Sequence, residues 1–426
     1  GVDAVLDLAR SVKNPRLVGA AFIDASKSGD NVDILIAKSL QSEDETVINF
    51  AIGMVVEGYS SRGVDADQWI NSMLDRAKRE RWASDAVNRL LVLTAPKKEL
   101  WERFEEFEPA VSENYWKRLS PYRINDAMEA EFVIDRFLSV NRPHAALTSA
   151  GIRPHDISSD LLVRILNEVA VTPPEEVDHN TGTMLQHYVT QILQVLDVRD
   201  DLKGDTLAML EWQYLSLLEH SNRPPHALHQ AMASRPEFFV EVLRVIYRPA
   251  EGSGIIEEPV DKEEAQARAT QAYKLLHSWQ SAIPGQTSDG IDETALHAWV
   301  SEARRLSNAV GRGDIADEQI GQILAFSPAG NDGIWPALAV RNLLEKVKSE
   351  HIERGLIVGV HNGRSPTWRA LGEGGVQERA IAANYRQLAI ATQLKFPRTS
   401  ALLNQMADDY EAQAKWHDER VDRDQW

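Results

Sequence analysis

Apolar residues recur along this chain at spacings of three and four, and short polar turns separate the runs. That period is one face of an α-helix. The densest example lies at 205–248. There Leu207, Leu210, Tyr214, Leu217 and Leu218 share the face of a first helix. Asn222-Arg223-Pro224-Pro225 ends it, because two prolines remove backbone donors and fix φ. Ser234-Arg235-Pro236-Glu237 then reads as a capping box in front of a third helix. Phe238, Phe239, Val242, Leu243 and Ile246 give that helix a broad apolar face, with Glu237, Glu241, Arg244 and Arg248 as a thin polar strip. Such a helix must be covered on several sides, as in a layered stack.

The same alternation runs through the whole chain. Residues 1–62 read as paired helices, with Leu17, Val18, Ala21 and Phe22 on one of them. A second capping box, Ser42 to Glu45, precedes Val47, Ile48, Phe50, Ala51 and Met54. Further helices are expected at 67–78 and 83–93. An aromatic cluster follows: Trp101, Phe104, Phe107, Tyr115, Trp116 and Tyr122. Aromatics this dense suit stacking on sugars or bases, but Trp101, Phe104 and Glu108 keep helical spacing, and we assign the cluster to the core. After it, Asn141-Arg142-Pro143-His144-Ala145-Ala146-Leu147 is echoed by Asn222-Arg223-Pro224-Pro225-His226-Ala227-Leu228. The two copies lie 81 residues apart, or two units of about 40, the range of two-helix repeats.

A Gly- and Pro-containing stretch at 249–261 is the best linker, so we expect a helical-repeat array over 1–249 and a C-terminal region over 262–426. That region continues with helices at 262–280, 293–310 and 314–326, joined by an exposed connection at 281–292. The period then changes. Leu356-Ile357-Val358-Gly359-Val360 is short and β-branched, and Asn362-Gly363 is a strong two-residue hairpin signal. A small β-hairpin is therefore expected near 356–369. Two long helices should close the chain as a hairpin, with Ala380, Ala383, Tyr385, Leu388 and Ala389 facing Leu402, Leu403, Met406, Tyr410 and Ala414.

Composition adds exclusions. The 426 residues can bury a large core, in two or three domains or one elongated array. The absence of cysteine removes disulfides, thiol catalysis and cysteine metal sites, and fits a cytoplasmic setting. No apolar run reaches the roughly 20 residues that span a bilayer, so no membrane partner is expected. The net charge of −18 repels phosphate backbones, which argues against nucleic acid as a partner. The start at Gly1 inside a helical pattern suggests a piece of a longer polypeptide.

Candidate chemistry is sparse. His226 and His229 stand at i, i+3, a spacing that can share a metal, but no carboxylate accompanies them in that turn. Asp178-His179 with Glu175 and Glu176 has the composition of an acid/base or metal cluster and equally of a solvated loop. The sharpest candidate is the loop 361–375. Gly372, Gly374 and Gly375 precede a helix whose N-terminal N–H groups can face an anion, and Arg364 and Arg369 add charge. The ligand-binding residues expected there are His361, Arg364, Arg369, Glu373 and Gly374. Neither GxxxxGK[ST] nor GxGxxG is present, and Glu373 sits where a phosphate would go. With no Gly-x-Ser-x-Gly elbow and no Cys/His pair, no catalytic residue is assigned and no cofactor is expected.

Several phrases are familiar as a set: Tyr115-Trp116, Ser120-Pro121-Tyr122, Asn141-Arg142-Pro143, Arg223-Pro224-Pro225-His226-Ala227-Leu228 with Pro236-Glu237-Phe238-Phe239-Val240, and Gly374-Gly375-Val376-Gln377-Glu378-Arg379. From about residue 100 to the end, the chain resembles the C-terminal region of large, mostly helical bacterial proteins that carry no assigned function. The resemblance implies a bacterial origin and a longer parent chain, and it carries no catalytic residues across. In general character the chain also resembles HEAT- and TPR-type repeats, without the TPR signature residues.

The expected fold is all-α, an α-α superhelix of roughly twenty helices with one small β-hairpin. The expected function is a non-catalytic protein-interaction or scaffold module of a larger bacterial protein, such as a sensor arm in defence or signalling. The alternative is a ligand- or nucleotide-binding, or hydrolytic, domain using loop 361–375.

Overall fold

The computed structural model describes every residue except 1, 27–29, 95, 124–128, 174–178, 220, 256–260, 365–367, 371–372 and 425–426. The fold is all-α. Among the described residues the only sheet is the antiparallel pair Gln286–Thr287 and Gly290–Ile291, in register Gln286 to Ile291 and Thr287 to Gly290. No described helix is long and apolar enough to cross a membrane.

The chain divides into two compact units, Gly1–Asp201 and Leu202–Trp426. The division expected at 249–261 therefore falls inside the second unit. Ala250 there donates its N–H to the Gly311 carbonyl at 2.8 Å. One core joins Leu228, Phe239 and Leu243 before that stretch to Leu275, Trp299 and Leu343 after it.

In the first unit, helix Glu45–Arg62 starts at Asp44, whose carboxylate accepts the Thr46 N–H at 2.9 Å. The box expected from Ser42 is thus displaced by two residues: Asp44 caps, Glu45 is the first helical residue, and Ser42 accepts the Asp44 N–H instead. This helix packs on Pro15–Ala25 with no side chain between them at two points. A Cβ on Gly19 would stand 2.0 Å from the Phe50 carbonyl oxygen, and one on Gly53 would stand 1.9 Å from that of Arg16. The aromatic cluster is core, as expected, for Trp101, Phe104, Tyr115 and Trp116. Trp101 and Trp116 lie 5.3 Å apart, Phe104 meets Tyr115 edge-on at 4.8 Å, and the Trp101 indole N–H donates to the Tyr115 hydroxyl. Phe107 is only half-buried, and Tyr122 is exposed.

Arginines close helix C-termini in both units. The last four carbonyls of a helix lack partners within it, and a guanidinium brings five donors. Arg89 donates to the Leu40 carbonyl at the end of Asp30–Leu40, at 2.6 Å. Arg142 serves Trp116 and Leu119 at the end of Pro109–Arg118. In the second unit, fully buried Arg312 donates to Tyr247 just past Pro236–Ile246. The two Asn-Arg-Pro motifs share an inward-turned arginine, but the partners differ. Arg142 meets carbonyls, whereas Arg223 meets the Glu211 carboxylate at 2.6 Å.

Two expectations about the second unit are corrected. Ser234-Arg235-Pro236-Glu237 is not a capping box. Ser234 is the last residue of His226–Ser234 and its hydroxyl donates back to Gln230, while Arg235 precedes Pro236 with no side-chain cap. The β-hairpin near 356–369 is likewise absent: Glu350–Asn362 is one α-helix, opened by the Ser349 hydroxyl accepting the Ile352 N–H. Asn362-Gly363 is its C-terminus, where Gly363 donates to the Gly359 carbonyl, and residues 365–367 lie outside the described set. Packing overrides the β-branched run. Ile352, Gly355, Leu356 and Gly359 are buried at helical spacing, and the glycines press on helix Gly313–Leu324. The one hairpin among the described residues lies instead in the 281–292 connection.

Candidate functional site

The residues singled out in loop 361–375 do converge, on a carboxylate that the sequence reading did not select. Helix Val376–Thr392 packs along Pro397–Asp424, and its buried stripe is Gly375, Glu378, Ala382, Ala389 and Thr392. Ala380 and Ala383, expected on that face, are exposed. Glu378 is 0% exposed. Its Oε1 accepts from Arg364 at 2.8 Å and also from Arg369, so one oxygen ties both arginines to the helix. Oε2 has no hydrogen-bond partner among the described residues. Burial pushes this carboxyl up, but the two guanidiniums outweigh it and hold the pKa below the usual glutamate range.

The remaining residues fix the surroundings. The Arg364 guanidinium lies over the Tyr410 ring at 5.4 Å, and the His361 ring lies 5.3 Å from the same tyrosine. Arg369 also reaches His417 Nδ1 at 3.4 Å. Glu373 accepts the Ala370 N–H at 2.8 Å and the Gln377 amide at 2.9 Å, and these bonds lower its pKa. Gly374 has φ +60°, a conformation that favours glycine, and a Cβ there would stand 2.4 Å from Asp418 Oδ1. Asp418 accepts the Gly375 N–H at 2.8 Å and pairs with Arg379 at 2.6 Å. Those partners, Arg379 first, hold its carboxyl low.

The expected anion-binding groups therefore meet the protein's own carboxylates. Asp418 occupies the N-terminus of Val376–Thr392, and Glu378 takes both arginines. Chemically this is a clamp that ties the loop to the terminal helices. Sequence reasoning missed Glu378 and Asp418, although Glu378 left a signal: it is the charge inside an apolar stripe spaced three and four.

Next to the clamp, two tryptophans face solvent. Trp368 is 94% exposed and Trp416 50%. Each adjoins one member of the Arg369–His417 contact, so both sit at the same end of the helical hairpin. The Trp368 backbone is held, because the Gln377 amide donates to its carbonyl at 2.8 Å. Arg420 lies over the Trp416 ring at 5.7 Å.

The metal candidates do not assemble. His229 is buried, and its two ring nitrogens lie 3.3 and 3.0 Å from the Ser281 and Ser278 hydroxyls, while His226 faces solvent. Burial depresses the His229 pKa to about 4, which keeps the ring neutral at pH 7. Glu175, Glu176 and Asp178 lie outside the described residues. Among the described residues no three of His, Asp and Glu converge to hold a metal ion. No protein-family model matches this chain, and neither a curated protein nor a solved structure does.

The clamp makes a stability prediction. Glu378→Gln leaves two guanidiniums without their buried countercharge, and we expect a loss of about 1–3 kcal/mol in urea unfolding. Because the folded-state pKa lies below the unfolded one, the wild-type advantage is present above the unfolded carboxyl pKa. It shrinks as pH falls through the folded value. A variant as stable as wild type at pH 7 would show that the loop does not depend on this carboxylate.

Proposed function

We propose that this chain is a protein-interaction module, a cytoplasmic scaffold within a larger bacterial protein, that carries out no chemistry of its own. The observation that supports this reading is the pair Trp368 and Trp416, the first exposed on a loop that a hydrogen bond and the Glu378 clamp hold in place, the second on helix Pro397–Asp424. Trp and Arg dominate the residues that carry binding energy at protein interfaces. An indole presented from an ordered backbone loses little freedom when a partner covers it. The net charge of −18 favours a protein partner over nucleic acid. A nucleotide site in loop 361–375 has less support, since Arg364 and Arg369 already meet Glu378. A repeat-like stack that offers an extended surface, and a sensor-arm role, are finer forms of the same reading.

The test is paired affinity capture from a bacterial lysate with wild type and Trp368→Ser/Trp416→Ser, each confirmed folded by circular dichroism. One protein retained by wild type and lost by the variant is the expected result. Equal capture by both, or nothing specific on either, would sink the assignment.

A further inference from the structure

A second site in the second unit is a polar cleft of about 240 Å³. Three helices, with residues just past helix ends, supply its walls. Lys262–Ser278 contributes Tyr273 and His277, Gly313–Leu324 contributes Gln319 and Gln322, Glu350–Asn362 contributes Asn362, and Gln280 lies in the turn after the first of these. Trp279, Ile323 and Phe326 are among the apolar residues of the lining, and Tyr247, just past Pro236–Ile246, also belongs to it. Three features of this lining narrow what it can hold.

The lining contains no lysine, arginine, aspartate or glutamate. A phosphate or carboxylate would find no countercharge there, and a cation would find no anion. The four carboxamides, of Gln280, Gln319, Gln322 and Asn362, form no side-chain hydrogen bond with any described residue. Each amide presents a donor and an acceptor side by side. That arrangement matches the amide-like edge of a nucleobase, the way Asn and Gln read adenine with two parallel bonds. Tyr273 and His277 are parallel to within 7°, with centroids 5.8 Å apart, and Tyr273 is half exposed. A flat ligand can continue such a stack, because every base has a π-face.

The geometry points to a binding site for an uncharged, planar heterocycle with an amide-like edge, that is, a nucleobase or its nucleoside. The volume is below the roughly 300–1,000 Å³ of drug-sized pockets, so the site suits a ligand no larger than a nucleoside. The site shares no residue with the Trp368–Trp416 end, and the two assignments stand or fall separately.

The experiment is saturation-transfer NMR on the full chain, titrated with adenosine, cytidine, glucose and inorganic phosphate. We expect transfer to the base protons of a nucleoside and none to glucose; phosphate, titrated as a competitor, should not displace the nucleoside. In Gln319→Leu/Gln322→Leu, and separately in Tyr273→Ala, the affinity should fall about tenfold or more. Tyr273 is half exposed, so that variant should keep its fold, as circular dichroism would verify. No transfer to any nucleoside would overturn the proposal, as would equal transfer to glucose, displacement by phosphate, or unchanged affinity in the folded variants.

Discussion

Arg223→Ala is expected to destabilise the second unit by about 3–5 kcal/mol, the cost of removing one partner from a buried ion pair. Arg223 is 3% exposed and Glu211 0%. The carboxylate uses both oxygens: Oε1 accepts from Arg223 at 2.6 Å and Oε2 accepts the Leu228 N–H at 2.8 Å. Leu228 is the third residue of His226–Ser234, and the residue before that helix is Pro225, which has no side-chain acceptor. Glu211 thus caps from a distance, and Arg223 makes its charge tolerable there. For a unit of this size the loss lowers Tm by roughly 10 °C. Burial already raises the Glu211 pKa, with Arg223 opposing the rise. Without Arg223 the folded-state pKa rises further above the unfolded one. A raised pKa gives stability that is present at low pH and lost as pH climbs through the folded value. The deficit of the variant against wild type should therefore narrow as pH falls. The double variant Glu211→Gln/Arg223→Met keeps an acceptor for Leu228 and removes both charges, so it should recover most of the loss. Thermal and urea unfolding read all three. A single-variant loss below about 1 kcal/mol would mean that water screens the pair as it does surface salt bridges.

That pair also marks where the sequence stops being legible. Helices announce themselves by period, and those expected at 262–280, 293–310 and 314–326 appear at Lys262–Ser278, Glu293–Ala309 and Gly313–Leu324. Charges inside the core do not, because a lone Glu or Arg reads as surface until its partner is known. Glu211, Arg312 and Arg341 are buried, and none of them is marked in the sequence for that reason; Glu378 alone is hinted at, by the apolar stripe around it. Short motifs failed where one string serves two structures. Asn-Gly closes a hairpin and also a helix, and Ser-x-x-Glu caps only if the helix begins at that serine. At the candidate site, Arg364, Arg369 and Glu373 were legible as a polar loop, but which carboxylates they or their neighbours would meet depended on Glu378 and Asp418, nine and more residues away. The carboxamide cleft had no sequence signal, because neutral amides from separate helices form no motif.

The contact that overrode the β-branched run gives the other large effect. Gly355→Leu is expected to destabilise the second unit by more than about 3 kcal/mol, beyond ordinary overpacking. A Cβ on Gly355 would stand 2.1 Å from the Glu318 carbonyl oxygen, and one on Gly321 would stand 2.1 Å from that of Ile352. Gly359 meets the Gln322 carbonyl in the same way, at 2.5 Å. Each obstacle is backbone, so no rotamer change relieves it and the helices Gly313–Leu324 and Glu350–Asn362 must separate. Helix propensity acts in the opposite direction, since Ala in a helix interior is favoured over Gly by about 1 kcal/mol. The sign for Gly355→Ala is therefore a direct reading of the contact, and a loss is expected. Gly204→Ala is the control. It lies in the first turn of Gly204–Gln213 with open space around it, so it should be neutral or gain up to about 1 kcal/mol. Opposite signs for the two substitutions in urea unfolding would tie the loss to close approach, and a stabilising Gly355→Ala would refute it. The consequence reaches the cleft as well. Gln319 and Gln322 stand on one of these helices and Asn362 on the other, so a folded Gly355→Ala should bind nucleoside more weakly even though residue 355 does not line the cleft.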